Sequence, residues 1–242
     1  MTILKKLIYI IHKMFSNRQF LIAEIGLAHD GSLGIAKSFA KIAKLNGADA
    51  VKFQHHNPSY ESSSGEKFRK KFSYQDKNRA SYWKRTSFSL IQWKHLKKYC
   101  DKIGIKFICS PFSIESVKEL NKIGVFAWKI ASGEFNNILL LKHILKTSKK
   151  PIILSTGLTT NKEILKVISI LKKYKKKKYS LLQCTSKYPS KIEEVGHDMI
   201  NIFKKKFRCE VGVSDHSGNI NSLILGLAMG ANLLEFHLTL DK

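Results

Sequence analysis

Two lysines stand inside apolar segments of this sequence, Lys52 in AVKFQ and Lys129 in AWKIAS. A buried ammonium group is costly unless an anion accompanies it. We therefore expect both lysines at the carboxyl ends of strands, where they meet an anionic ligand. The alternative is that each is a structural lysine paired with a glutamate of the core.

Polar side chains also follow the other apolar segments. They are Glu24, Gln54, Ser110, Ser132, Glu134, Ser155, Thr156, Thr185, Ser186, Tyr188, Ser214, Asp215 and Glu235. Lysines and hydroxyl groups together bind phosphate-bearing anions. Carboxylates transfer protons or hold sugar hydroxyl groups. Gathered at one face, these residue types predict a site for a phosphorylated anion beside a proton-transferring group.

Two histidines, His216 in VGVSDH and His237 in LLEFHLT, fall at the ends of neighbouring strands. Two imidazoles at the ends of adjacent strands can bind a divalent metal together. A single histidine is more often a buried residue whose hydrogen bonds are satisfied within the core. A metal would polarise a carbonyl group as a Lewis acid. Together with the lysines and hydroxyls, this predicts an aldol-like condensation of a phosphorylated anion with a carbonyl compound, without naming the reactants.

Short, almost continuously apolar runs alternate with longer amphipathic segments. The runs, interpreted as buried strands, are 20–25, 50–53, 105–109, 127–130, 151–154, 179–184, 210–213 and 233–238. Helical patterns lie at 33–45, 90–103, 114–123, 138–145, 162–174 and 220–229. The alternation predicts a parallel sheet covered by helices, and eight strands favour a closed (β/α)8 barrel of the TIM type. The carboxyl ends of the strands would then converge on one face, where this fold carries its active sites.

Two parts of the chain depart from this regular alternation. Residues 54–89 are too long for a simple connection and are rich in aromatic residues, so we expect them to cover the active site. The sequence reaches Lys242 directly after the eighth strand, so we expect a barrel without its last helix. We divide the chain into an N-terminal extension, residues 1–19, and a barrel, residues 20–242. A surface amphipathic helix is the alternative interpretation of the extension.

The formal net charge is +25, with the lysines spread along the chain. Solvated lysines on helix faces explain this charge, and no nucleic-acid-binding motif is present, so we expect no nucleic-acid partner. The apolar run near the N-terminus is too short to span a bilayer and no cleavage site follows it, so we expect neither a transmembrane segment nor a signal peptide. Four cysteines without a CxxC pair indicate a reducing cytoplasm.

Seven motifs occur in the order in which sialic acid synthases carry them. They are FLIAEIGLAHDGSLGIAKSFAKIAKLNGADAVKFQ, SPF, AWKIASGEFNN, PIILSTGL, LLQCTSKYP, GVSDHSG and EFHLTLDK. Over residues 20–242 the chain resembles this family, which includes the N-acetylneuraminate, legionaminate and pseudaminate synthases and the spore-coat polysaccharide homologues. The resemblance implies a transferase of carbohydrate biosynthesis that condenses phosphoenolpyruvate with an N-acetylated mannosamine-type sugar. The products are a nine-carbon 2-keto acid and phosphate.

The resemblance also implies a role for each site residue. Phosphoenolpyruvate would be held by Lys52, Ser110, Lys129, Ser132, Ser155, Ser186 and Ser214. A divalent metal, Mn²⁺ or Mg²⁺, would be bound by His216 and His237. The sugar or the proton transfer would involve Glu24, Gln54, Glu134 and Tyr188. The expected catalytic residues are Glu24, Glu134 and His237.

The chain departs from the family pattern in several places. Members normally continue into a C-terminal antifreeze-like domain that reaches the partner's sugar site in a homodimer. The sequence contains no such domain, so we expect the barrel domain only, and dimerisation stays open. Ser186 stands where some members have asparagine, and His55 and His56 follow Gln54 where a hydroxyl or aromatic residue is more usual.

Two other interpretations stay open. One is a related 2-keto-3-deoxy sugar acid synthase, such as a heptulosonate- or octulosonate-phosphate synthase, which joins phosphoenolpyruvate to an aldose on the same kind of barrel. The other is a non-catalytic remnant, or a subunit that works only beside a separate chain carrying the remaining domain.

Overall fold

Eight parallel strands close into a barrel in this computed structural model, which describes residues 19–61, 66–68, 73–176 and 178–239. Each strand pairs with the next, and the eighth pairs with the first. The strands are β1 (Phe20–Gly26), β2 (Ala50–His55), β3 (Lys106–Pro111), β4 (Ala127–Ile130), β5 (Ile152–Ser155), β6 (Tyr179–Cys184), β7 (Glu210–Asp215) and β8 (Leu233–His237). The predicted (β/α)8 fold is confirmed, and each strand lies where an apolar run predicted it.

Helices surround the barrel. Those of the described residues are α1 (Leu33–Leu45), α2 (Pro58–Glu61), α3 (Arg79–Thr86), α4 (Leu90–Lys102), α5 (Ile114–Ile123), α6 (Ile138–Thr147), α7 (Asn161–Lys173), α8 (Met199–Phe207) and α9 (Ile220–Ala228). Helices α2, α3 and α8 were not predicted from the sequence. The sequence of α3 is polar and aromatic and shows no clear helical pattern, but the helix begins with a capping box. In it, the side chains of Asn78 and Ser81 each accept a hydrogen bond from the other residue's backbone N–H group.

Alternation along each strand separates the barrel interior from its outer face. The inward apolar residues form one buried cluster, which contains Ile22, Ala50, Ile108, Ala127, Ile153, Leu182 and Leu233. Two positions further along, the inward residue is polar on several strands, as at Glu24, Lys52 and Glu235. The interior is therefore closed by an apolar layer with a polar layer above it at the carboxyl ends.

The connection after β2 lies against the end of that strand. Trp83 of α3 stacks on His56, with ring centroids 4.6 Å apart. Arg85 of α3 pairs with Asp76 at 2.8 Å and with Asp30 of the connection after β1 at 2.7 Å. Hydrogen bonds from Arg85 lower the pKa of Asp76. The long aromatic segment is thus fastened over the same face of the barrel that carries the polar layer.

The N-terminal extension stays a prediction, because residues 1–18 lie outside the described residues. Within the part of the chain that is described, no helix has the length and apolar character needed to cross a membrane.

Gly212 on β7 tests how closely the inner layer is packed. A Cβ at this position would meet the backbone carbonyl of Leu233 and would lie 2.8 Å from the Leu182 side chain. The strand backbone cannot withdraw without breaking the barrel ladder, so we expect Gly212→Ala to lower the free energy of unfolding by about 2 kcal/mol or more. Urea denaturation measures this. Gly34→Ala in α1 is the control, because its nearest neighbour would be 3.7 Å away and alanine favours a helix. Equal stability of the two variants would contradict the prediction.

Candidate active site

A cavity of about 70 Å³ opens at the carboxyl ends of the strands. Ten of its lining residues are predicted site residues: Glu24, Lys52, Gln54, Lys129, Ser132, Ser155, Tyr188, Ser214, His216 and His237. Three lining residues carried no predicted role: Ala131, Cys184 and Glu235. The predicted residues Ser110, Glu134 and Ser186 do not line this cavity. Ser110 is buried beside Gln54 in the sheet register, and the Ser186 hydroxyl is hydrogen-bonded to Ser132 at 2.9 Å.

Glu235 is the hub of the polar layer. Its Oε1 accepts hydrogen bonds from Lys52 Nζ (2.8 Å), Lys129 Nζ (3.0 Å) and Ser214 Oγ (2.9 Å). Glu24 Oε2 lies 3.4 Å from Lys52 Nζ. Two buried ammonium groups thus face two buried carboxylates. The alternative prediction, that each lysine pairs with a buried glutamate, is therefore observed for both lysines, and this glutamate lines the cavity itself.

The charges of this cluster oppose the cost of burial. Burial alone raises the pKa of Glu235, but the adjacent Lys129 and Lys52 bring it far below its ordinary value. Burial likewise disfavours charge on Lys52, yet Glu235 and Glu24 raise its pKa above that of a free lysine. For Lys129 burial is the larger effect, and its pKa is lowered. The sequence placed Glu235 among the polar residues at strand ends but gave it no individual role, although it lies two positions before His237 on the same strand face.

Several buried polar atoms of the site have no hydrogen-bond partner within the described structure. They are Ser110 Oγ, Ser155 Oγ, Glu24 Oε2 and Glu235 Oε2. Buried polar groups are almost always satisfied, so these atoms indicate a ligand that supplies the missing partners. The two ammonium groups and the Ser155 hydroxyl in this lining can donate to an anion with several oxygen atoms, whereas the two carboxylate oxygens can only accept from a donor group of a ligand or from water.

The two histidines lie at the mouth, with ring centroids 5.4 Å apart. His216 Nδ1 donates to the Thr185 carbonyl (2.6 Å), so Nε2 carries the lone pair and accepts from the Tyr188 hydroxyl (2.8 Å). Burial lowers the pKa of His216 to about 4, which keeps the ring neutral. A metal-binding histidine is commonly fixed in this way by a carbonyl at its other nitrogen.

The donor set fits a metal in part. Two imidazoles face the same opening, and one of them has the tautomer that a metal at Nε2 requires. Among the described residues, no group of three His, Cys, Asp or Glu side chains could hold a metal ion. A metal here would take two protein ligands and keep its other positions for water or substrate.

Glu134 lies beside the cavity rather than in its lining. Burial raises the pKa of its carboxyl group, while a hydrogen bond from Asn137 (2.8 Å) lowers it and the charge of Glu61 raises it. A raised pKa makes a carboxyl group easier to protonate, which suits a group that gives up a proton during a reaction.

Comparison with known proteins agrees with this geometry. The model of the NeuB family matches residues 39–242. The chain is 36% identical to the N,N'-diacetyllegionaminic acid synthase of Campylobacter jejuni over 93% of this chain and 69% of that protein. It is 33% identical to the human N-acetylneuraminate-9-phosphate synthase over 92% of this chain and 62% of that protein. It thus spans about two thirds of the length of the curated relatives it matches.

Solved structures give the same result. The sialic acid synthetase of Leptospira borgpetersenii superposes with a TM-score of 0.81 at 32% identity, covering 93% of this chain and 74% of that chain. A truncated heptulosonate-phosphate synthase of Thermotoga maritima superposes with a TM-score of 0.68 at 13% identity, covering 92% of this chain and 76% of that chain, which shows a shared fold alone. The family model matches most of the sequence, and the synthases are about one third identical to the chain over more than nine tenths of its length. The chain therefore belongs to the NeuB family.

Proposed function

We propose that this chain condenses phosphoenolpyruvate with an N-acetylated mannosamine-type sugar and releases phosphate and a nine-carbon 2-keto acid. The observation that carries the proposal is the layout of one cavity. It has two buried lysines and the Ser155 hydroxyl, which has no hydrogen-bond partner among the described residues, at its closed end, and two imidazoles at its mouth. Relatives named as legionaminic, pseudaminic and N-acetylneuraminate-9-phosphate synthases support it.

The closed end would bind phosphoenolpyruvate. Lys52 and Lys129 would turn part of their contact from Glu235 to the carboxylate and phosphate of the substrate. The hydroxyl groups of Ser110 and Ser155, which have no hydrogen-bond partner among the described residues, would donate to the same oxygens. The remaining serines of the predicted set would complete this shell; they are Ser132, Ser186 and Ser214.

The reaction joins one carbon atom to another and consumes water. The methylene carbon of phosphoenolpyruvate forms a bond to the aldehyde carbon of the open-chain sugar, and the aldehyde oxygen takes up a proton. Water adds to the electron-poor C2 and loses one proton. The bond from C2 to the phosphate oxygen then breaks, the C2 hydroxyl gives its proton to the departing phosphate, and the 2-keto group forms. Glu134, with its raised pKa, is the candidate acid, and Glu24 is the candidate base for the water.

A divalent metal, Mn²⁺ or Mg²⁺, would be held by His216 and His237 and would supply Lewis-acid polarisation of the aldehyde oxygen. Tyr188 links the two parts of the site, because its hydroxyl contacts His216 and its ring lies against His237 with centroids 5.6 Å apart. It would contact and orient the sugar.

We further propose a sugar without a phosphate group. Among the described residues that line the cavity, the lysine and arginine side chains are Lys52 and Lys129, and Glu235 contacts both. Phosphoenolpyruvate would engage both of them, so a second phosphate would meet no further lysine or arginine in this lining.

The test incubates the purified chain with phosphoenolpyruvate, Mn²⁺ and N-acetylmannosamine, its 6-phosphate or its 2,4-diacetamido-dideoxy relatives. We expect phosphate release that depends on an unphosphorylated sugar, with the 2-keto acid identified by mass spectrometry. Turnover with the 6-phosphate alone would overturn the proposed sugar class. Binding of phosphoenolpyruvate without turnover would favour a subunit that needs a separate domain, and binding of neither substrate would overturn the enzymatic proposal.

Two further properties stay predictions. A homodimer is an expectation from the family resemblance. A cytoplasmic location is compatible with Cys100, Cys109, Cys184 and Cys209, all of which are free thiols.

A further inference from the structure

A chain of hydrogen bonds leads from Glu24 into the segment that follows β2. Gln54 Nε2 donates to Glu24 Oε1 (2.8 Å), Gln54 Oε1 lies 3.2 Å from His56 Nε2, and His56 Nδ1 lies 2.6 Å from Glu61 Oε2. Glu61 is itself held in place, since its other oxygen accepts from the Asn57 backbone N–H at 2.5 Å. The expected catalytic carboxylate is thus connected to a second carboxylate outside the cavity lining.

Both ring nitrogens of His56 face hydrogen-bond acceptors. Glu61 offers a carboxylate oxygen to Nδ1, and Gln54 offers its amide oxygen to Nε2 because its amide nitrogen is already directed at Glu24. A ring that donates from both nitrogens carries both hydrogens and is an imidazolium ion. Reversing the Gln54 amide would bring its oxygen against Glu24 Oε1, where two acceptors would oppose each other.

The surroundings of His56 suit a fixed, charged ring. It lies between Phe112 and Trp83, with centroid distances of 3.9 and 4.6 Å and interplanar angles of 20° and 7°. Aromatic faces attract a cation that lies over them. His56 is 8% exposed and the Glu61 side chain 5%, so solvent does not replace either partner. A buried ion pair contributes little more to stability than apolar residues of the same size would. The main physical effect of the His56–Glu61 pair is therefore to fix the orientation of the groups it contacts.

Two other charged groups approach this pair. Arg79 lies over Trp83, the ring stacked on His56, with its guanidinium carbon 4.5 Å from the ring centroid. Glu134 is close enough for both charges to act on it, since Glu61 raises the pKa of its carboxyl group and His56 lowers it. The pair is therefore linked to both carboxylates proposed for proton transfer, to Glu24 through the Gln54 amide and to Glu134 through its charges.

We propose that His56 and Glu61 are positioning residues that fix the Gln54 amide with its N–H toward Glu24. Because Oε1 of Glu24 accepts this hydrogen bond, the oxygen presented to the reacting groups is Oε2, which lies 3.4 Å from Lys52 Nζ and accepts no hydrogen bond from the described residues. The catalytic consequence rests on the proposed function. The geometric part does not, because it concerns hydrogen bonds among Gln54, His56 and Glu61 that are independent of the reaction.

The first test is nuclear magnetic resonance of the ¹⁵N-labelled chain. We expect hydrogens on both ring nitrogens of His56. His56→Phe keeps a flat ring between Phe112 and Trp83 but removes both donors, so the side-chain amide signals of Gln54 should move. The matched control is His55→Phe, whose ring stacks on Trp93 and pairs with Glu119 on the outer side of β2. If His56→Phe does not fold because Glu61 is left unpaired, the same amide signals are measured in the double variant His56→Phe/Glu61→Gln.

The second test is kinetic. We expect His56→Phe to lower kcat by at least about tenfold, because a misplaced catalytic group loses its alignment, while KM for phosphoenolpyruvate stays within about twofold. Glu61→Gln retains the donor at His56 Nε2 and should lose less. Two results would overturn the positioning role. One is a single hydrogen on the His56 ring nitrogens, and the other is an equal response of the Gln54 signals and of kcat to His56→Phe and His55→Phe. A wild-type chain without turnover would overturn the proposed function, while the resonance measurement would still decide the contacts.

Discussion

Replacing Glu235 by glutamine should lower the free energy of unfolding by about 3–5 kcal/mol, which is the usual cost of removing one partner from a buried ion pair. Three donors share Oε1 of this residue, and two of them are ammonium groups with almost no exposure to solvent. Glutamine has nearly the same shape but no charge, so Lys52 and Lys129 would be left with Glu24 alone. Urea denaturation at neutral pH measures the loss.

The same contact predicts how stability depends on pH. The pKa of Glu235 is lower in the folded protein than the ordinary value of about 4.3. Its contribution is therefore fully present above that ordinary value and is lost as the pH falls below it toward the folded-state pKa. The wild-type protein should lose stability on acidification below about pH 4, and Glu235→Gln should lack that part of the loss.

Two comparisons separate this effect from a general loss of charge. Glu210→Gln makes the same change at an exposed position on β7 and should alter stability by no more than about 0.5 kcal/mol. Inorganic phosphate should raise the melting temperature of Glu235→Gln more than that of the wild-type protein, since the anion replaces the missing counter-charge. Equal stability of the two glutamine variants would show that the lysines do not depend on Glu235.

The position of these lysines could be predicted, but their partner could not. A lysine inside an apolar run must lie at the end of a buried strand, and alternation assigns it to the inner face, which is where Lys52 and Lys129 lie. Strand alternation alone does not say which carboxylate of which strand it will contact. Lys52 and Glu235 are 183 residues apart and are brought together by closure of the barrel between β8 and β1.

The structure of the segment after β2 could be predicted from the sequence only in part. Its length and aromatic content predicted that it would cover the site, and Trp83 and Arg85 do fasten it over the end of β2. The His56–Glu61 pair could not be predicted, because it depends on the short helix α2 turning Glu61 back toward the strand. Periodicity is uninformative over a helix of four residues, so contacts of this kind appear only in three dimensions.

His237→Ala should reduce sugar-dependent phosphate release by at least about 100-fold. Lewis-acid polarisation of a carbonyl supplies several kcal/mol to a transition state, and each 1.36 kcal/mol corresponds to about tenfold in rate. The site presents two imidazoles, so losing one leaves His216 as the remaining histidine ligand. EDTA should have the same effect on the wild-type protein, and added Mn²⁺ should reverse it.

Direct measurement of Mn²⁺ binding, by electron paramagnetic resonance or calorimetry, distinguishes loss of a ligand from loss of structure. We expect His237→Ala to weaken binding, and His95→Ala, on the exposed face of α4, to leave both binding and turnover unchanged. We expect Tyr188→Phe not to weaken Mn²⁺ binding, because it removes the hydroxyl group that donates to the lone pair of His216 Nε2. That variant should bind Mn²⁺ at least as tightly as the wild-type protein, even though it loses a proposed sugar contact. Weaker Mn²⁺ binding by Tyr188→Phe, or wild-type affinity in His237→Ala, would show that the metal is held elsewhere and would remove the histidine pair from the proposed mechanism.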